Sequence, residues 1–217
     1  MHVTVKLVVL VLALVVASCQ PTRFTATLRP THLKANDLEE TFTRRDEALL
    51  AYALSAYDAQ NRLLDTRNGA WGVERVKRGQ TFGSERFVPL DLPVPKGGRL
   101  VATVALVEVE DYQRAQDLVG KIRQATGVAG GAATFLQLTE ITNPIGYLLL
   151  SLQAAGIGLN LVQQFDADDV LGTDTFTLTP QQLRTGPRRY HRQLQFEGRH
   201  GGERYEYEIR YEMSVTR

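Results

Sequence analysis

Cysteine occurs once in this chain, at position 19 of 217 residues, so no internal disulfide can form. Stability must come from packing, or from packing plus a bound ion. An excess of one charge is also missing, with 25 Lys and Arg against 24 Asp and Glu. Nucleic-acid binders leave a basic footprint, and there is none here. Beyond residue 18 histidine occurs only as His32, His191 and His200, the first near the amino-terminal tether and the last in a turn beside two glycines. No His-Glu-x-x-His, no Gly-x-Ser-x-Gly and no phosphate-cradling glycine loop accompanies them. Ser84 and Ser151 have no local partner, and Gly127-Val-Ala-Gly130-Gly131 follows no strand and lacks a Lys-Ser/Thr pair. Tight helix packing accounts for those glycines better than a nucleotide does. No catalytic set can be assembled, and the chain reads as a non-enzyme.

The positive signals begin at the amino terminus. Lys6 precedes an unbroken apolar run from Leu7 to Val16. That run is too short to cross a bilayer as a helix and has the length of a cleaved leader. It ends in Val16-Ala17-Ser18-Cys19, which resembles the lipobox of bacterial lipoprotein precursors: an aliphatic residue, two small residues, then cysteine. The resemblance implies cleavage before Cys19, a diacylglyceryl group on its thiol and acylation of the new amino terminus. The competing readings are a plain secretory signal with an incidental cysteine, or a buried core cysteine. An exported protein whose one cysteine can pair with nothing favours lipidation. Two or three acyl chains anchor stably where one is marginal. In that family an aspartate after the cysteine marks inner-membrane retention; Gln20 stands there, which favours the outer membrane. Residues 1–18 are then a signal peptide, 19–32 a lipidated tether containing two prolines, and 33–217 the folded domain. Loss of the leader removes one lysine and leaves the mature chain with 24 residues of each charge.

The domain reads as strands, an insert, then strands. A first imperfect strand spans Phe24 to Leu33. Ala48 to Tyr57 is alanine- and leucine-rich enough to be helical, but its alternation and the Asp-Ala-Gln-Asn-Arg turn after it favour a strand. Trp71 to Phe82 and Arg86 to Leu92 are shorter candidates, and Pro93 to Gly98 is a loop. Arg99 to Val109 is the best central strand, β-branched and free of breakers. Strands resume at Thr173 to Leu178, Tyr190 to Glu197 and Glu203 to Val215. The last places Tyr205, Tyr207, Ile209, Tyr211, Met213 and Val215 on one face, with Glu206, Glu208, Arg210 and Glu212 on the other. About eight such strands make a mainly β chain, folded as an antiparallel β-sandwich with a helical insert before the last strands.

The insert, Tyr112 to Phe165, has helical composition, and Glu140 is the only charged residue between Gln124 and Phe165. Asn143-Pro144 divides it into two apolar segments. Ile141 to Phe165 could span a membrane on length alone. Thr142, Asn143, Gln153, Asn160, Gln163 and Gln164 dilute it, and no Lys or Arg flanks it. A helical layer on one sheet face, burying Leu148, Leu149, Leu152, Ile157 and Leu161, is favoured over a membrane hairpin.

Acidic loops are the remaining chemistry. Asp166-Ala-Asp168-Asp169-Val-Leu-Gly172 is an oxygen-rich cluster suited to calcium, though without an EF-hand's spacing. It resembles a loop of the calcium- and lipid-binding β-sandwich first described as conserved region two of protein kinase C. There a central strand runs into an Asp-x-Asp segment, and an Asp followed by two apolar residues and Gly opens the next strand. Arg99 to Val109, ending at Glu110-Asp111, would be that strand, and Asp169-Val-Leu-Gly172 the re-entry. Asp37 and Asp46 before a tyrosine-bearing strand are similar to the family's first acidic loop, though further apart. The resemblance implies that Asp37, Asp46, Asp111, Asp166, Asp168 and Asp169 face one another and share Ca2+, which relieves their repulsion. An insert in a loop that should be short departs from the family pattern. The alternative is an aspartate-rich loop that is merely solvated and caps an element end.

The sequence therefore reads as a membrane-anchored envelope lipoprotein acting as a non-catalytic binding or structural module, with calcium as its candidate ligand. It would contact the membrane through its anchor and an envelope protein or surface ligand through its domain. Two alternatives are a metal-assisted hydrolase using the acidic loops and a scaffold subunit using the Tyr205/Tyr207/Tyr211 stripe.

Overall fold

The computed structural model describes residues 24–38, 46–94, 96–109, 170–200 and 203–216, with Gln113, Gln116, Asp117, Val119 and Gly120 in helical conformation between them. The strands are β1 (Phe24–Asp37), β2 (Asp46–Tyr57), β3 (Leu63–Val76), β4 (Thr81–Gly83), β5 (Leu90–Val94), β6 (Arg99–Glu108), β7 (Val170–Leu178), β8 (Arg189–His200) and β9 (Glu203–Thr216). A 3-10 turn, Ser84–Arg86, separates β4 from β5, and a short helix α1, Pro180–Thr185, separates β7 from β8. They form two antiparallel sheets. Sheet I has the order β4-β1-β9-β8, with β5 also on β1, and sheet II the order β3-β2-β6-β7. The inner faces meet in one core, to which β9 gives Tyr207, Ile209, Tyr211, Met213 and Val215, all buried, as its alternation requires. β2 and β6 answer with Leu50, Tyr52, Leu54 and Leu100, Val104, Leu106. The expected β-sandwich is present.

Several boundaries move. The sandwich starts at Phe24 rather than at residue 33, because β1 pairs with β9 from Thr25 onward. Pro30, which made this stretch look like tether, lies where the ladder skips a residue between Pro30 and His32, a bulge that spares the missing N–H. His32 is accordingly a strand residue. β3 begins at Leu63, well before Trp71, and pairs with β2 along its whole length. Its polar start is accommodated because Ser55 Oγ and Thr66 Oγ1 hydrogen-bond to each other at 3.0 Å while buried. Pro93 and Val94 belong to β5, where Pro93 sits opposite Thr25. Most of the insert, 112–165, lies outside the described residues. Among those described, no helix is long and apolar enough to cross a membrane.

The topology gives the sandwich two distinct ends. β1, β6 and β8 start at one end, where β2, β5, β7 and β9 finish; we call it the tether end. The other, the loop end, receives the finish of β1, β3, β6 and β8 and the start of β2, β7 and β9. The chain between β6 and β7 leaves and re-enters at the loop end, since Val107 faces Val170.

Candidate functional site

Asp46 opens β2 with the same inward orientation as Ala48 and Leu50, so its carboxylate points between the sheets and is fully buried. A buried carboxylate needs donors. The Tyr207 phenol on β9 supplies one, donating to Asp46 Oδ2 at 2.6 Å. Four residues along β9 the device recurs: the Tyr211 phenol donates to Asp174 Oδ2 at 2.6 Å, and Arg192 Nη2 on β8 donates to Asp174 Oδ1 at 3.0 Å. Burial, and then the Asp174 hydrogen bond, push the Tyr211 hydroxyl above its ordinary range. The Asp174 hydrogen bond raises Arg192 further, against the effect of burial. The Arg192 guanidinium also sits 5.6 Å from the Phe176 ring centroid. These are bridges between sheets I and II. Tyr52 of sheet II also reaches across, its phenol donating to Val88 O in the connection leading into β5 at 2.7 Å.

Asp37, at the finish of β1, accepts from the Leu38 backbone N–H at 3.1 Å and lies 3.5 Å from Arg78 Nε. The other proposed ligands, Asp111, Asp166, Asp168 and Asp169, lie outside the described residues, as does Cys19. β1 finishes and β2, β7 start at the same end, so the topology brings the flanks of all the acidic segments to one end. The two described carboxylates are nonetheless committed to a tyrosine and an arginine. Among the described residues, no group of three or more His, Cys, Asp or Glu could hold a metal ion. Of the six candidate ligands, Asp46 is therefore buried against Tyr207 and Asp37 lies beside Arg78.

Gly172, the glycine of the re-entry motif, is explained locally. A Cβ there would lie 2.1 Å from Phe196 Cγ, so only glycine lets β7 approach β8 across the sandwich edge. Tyr207 and Tyr211 are buried, which removes them as an exposed interface stripe. His191 is exposed, with Nδ1 3.7 Å from Glu212.

Several loop-end arginines have carboxylate partners. Arg75 binds Glu47 at 2.9 Å, Arg86 binds Glu74, and Arg204 lies 3.4 Å from Glu197 and 3.5 Å from Glu206. Glu197, Gly198, Arg199 and Arg204 line an open hollow of about 370 Å³. These pairs are exposed and worth little individually. The tether end differs. Arg188, beside Leu183 of α1, lies 5.2 Å from the Phe24 ring centroid and donates to Leu183 O at 3.3 Å. Arg99 lies 4.2 Å from the Tyr57 ring centroid and donates to Asn61 Oδ1 at 3.0 Å. The Asp58–Arg62 pair closes the β2–β3 hairpin, and Asp58 Oδ1 also accepts the Gln60 and Arg62 N–H groups.

No protein-family model and no curated protein matches the chain. Among solved structures it is similar to human GIVD cytosolic phospholipase A2, determined in complex with methyl gamma-linolenyl fluorophosphonate, at a TM-score of 0.37 and 7% identity over 89% of this chain. It is also similar to a structure of CC2D1B, described as coordinating ESCRT-III activity during mitotic reformation of the nuclear envelope, at 0.33 and 4% identity over 88% of this chain. The chain spans 17% of the first protein's length and 54% of the second's.

Proposed function

We propose that this protein is a lipid-anchored module of the cell envelope, held by acyl groups on Cys19, that binds a partner non-catalytically through its loop end. The observation that carries the reading is the separation of the two ends. β1 begins at Phe24, close behind Cys19, while the acidic segments flank strand termini at the opposite end. The described interior carboxylates, Asp46 and Asp174, are engaged in bridges between the sheets, which suits a rigid binding scaffold. Labelled palmitate should enter the wild-type protein and not Cys19→Ser, which should lose membrane sedimentation. A Cys19→Ser protein that still matures to the same mass and stays membrane-bound overturns the anchor.

Calcium remains the ligand the acidic chemistry favours, shared among Asp37, Asp46, Asp111, Asp166, Asp168 and Asp169. Adjacency of β6 and β7, with Asp169 immediately before β7, supports this assignment. Calcium at a hundred times its dissociation constant stabilises the native state by about 2.7 kcal/mol. The Tm should therefore rise with calcium, and Asp168→Asn with Asp169→Asn should abolish the rise. No rise in the wild type removes calcium from the reading.

A further inference from the structure

We propose that the tether end is a basic surface that lies on the anionic phospholipid headgroups of the membrane holding Cys19. The inference rests on the lipid anchor proposed above and adds an orientation to it. Lys96 in the β5–β6 loop, Arg184 on α1, and Arg188 and Arg189 at the start of β8 are exposed and share this end. Arg99 and Arg62 join them from sheet II and its hairpin. Asp58, already bound to Arg62, is the one carboxylate in these connections among the described residues. The next are Asp65 on β3, opposite Ala56 and paired with Arg67, and Asp91, set back along β5 opposite Thr27. At the loop end, in contrast, Arg75, Arg78 and Arg204 each face a carboxylate. Among the described residues the balanced total charge therefore conceals a polarity, with positive charge in excess of carboxylates where the anchor enters.

Reach makes that polarity consequential. Five residue steps separate Cys19 from Phe24, so the anchored atom can lie no more than about 18 Å from the start of β1. Attraction between exposed charges fades over about 8 Å at physiological salt, so a tether of this length holds the basic end within little more than two such lengths and lets it sample contact with the headgroups. Arg188 is held in place by the Phe24 ring and the Leu183 carbonyl, so its charge is tied to the strand that emerges from the tether. The acyl chains supply affinity, and the basic end supplies orientation.

The test is lysine footprinting of the mature, acylated protein in vesicles. Lys96 reports the tether end and Lys77, exposed in the β3–β4 turn, the loop end. In phosphatidylglycerol–phosphatidylcholine vesicles, acetylation of Lys96 should fall about five-fold relative to phosphatidylcholine alone, the factor that one basic residue near an anionic surface is worth. Lys77 should be labelled equally in both. Salt at 1 M, or Arg184→Glu with Arg189→Glu, should restore Lys96 labelling, with unchanged Lys77 labelling showing the fold intact. An acylated, floating protein with Lys96 labelled equally in both lipids overturns this inference alone. Protection of Lys96 that survives both high salt and charge reversal overturns it as well. A protein without acyl groups that floats with neither vesicle overturns the anchor reading and this inference with it.

Discussion

The two sheets solve the same packing problem from different compositions. In sheet I, β9 alternates strictly: Tyr207, Ile209, Tyr211 and Met213 are buried, and Glu206, Glu208, Arg210 and Glu212 form a wet outer face. In sheet II, β2 is buried at every position except Glu47, and β6 from Leu100 to Val107. Its outer face carries small residues, with Ala51 opposite Ala105 and Ala53 opposite Thr103, all 4% exposed or less. An antiparallel sheet needs only one dry face. A sheet dry on both faces has a covering layer on each, and small side chains let that second layer approach closely.

Substitutions can break or sharpen this contrast, and the largest effect should fall on the outer face of sheet II. Ala53→Glu would bury an unpaired charge and should cost more than about 4 kcal/mol or prevent folding, whereas Gln195→Lys, exposed on the outer face of sheet I opposite Glu208, should stay within about 0.5 kcal/mol. Denaturant titration of both variants decides it; a tolerated Ala53→Glu would mean that face is open to water. Next come the bridges between the sheets. Tyr207→Phe deletes the phenol that donates to buried Asp46 and should cost about 1.5–3 kcal/mol, as hydrogen bonds to charged groups do.

Tyr211→Phe should have a smaller, pH-dependent effect. Because the folded hydroxyl titrates above its unfolded value, its stabilisation is fully present below about pH 10. It is lost as pH rises through the folded value. The wild type should therefore lose stability above pH 10 more steeply than the variant, and melting curves from pH 7 to 11 should converge. Parallel curves would show that the Tyr211–Asp174 bond carries no such linkage. The smallest effect should be at the β2–β3 hairpin. Asp58→Asn weakens exposed contacts and should lower the melting temperature least of these variants.

The contrast also explains what could be read from the sequence. β9 and β6 were legible because strict alternation and an unbroken β-branched run each have one structural meaning. β2 was ambiguous for the reason that makes it unusual: a strand buried on both faces loses its alternation and resembles a helix. Its partial alternation and the turn after it, held by Asp58, resolved the matter. The first half of β3 was hidden because Thr66 and Asn68 look solvated, yet both are buried. α1 was missed although Thr179 and Gln182 form a capping box with Pro180 at the first helical position. The acidic residues were found, but the partners of Asp46 and Asp37 were not. Asp46 meets a partner 161 residues away, and no local pattern announces it.

β1 can finally be regarded as a ruler. Its 14 residues, at a rise of about 3.3 Å each, separate its two ends by roughly 45 Å. With the tether end on the headgroups, the loop end stands several Debye lengths beyond the bilayer's field. On the proposed orientation it would sample the ions of the surrounding compartment at their bulk concentration. Partners lying against the same bilayer would be out of its reach, and those extending from a facing layer, or rising on stalks of similar height, would be within it.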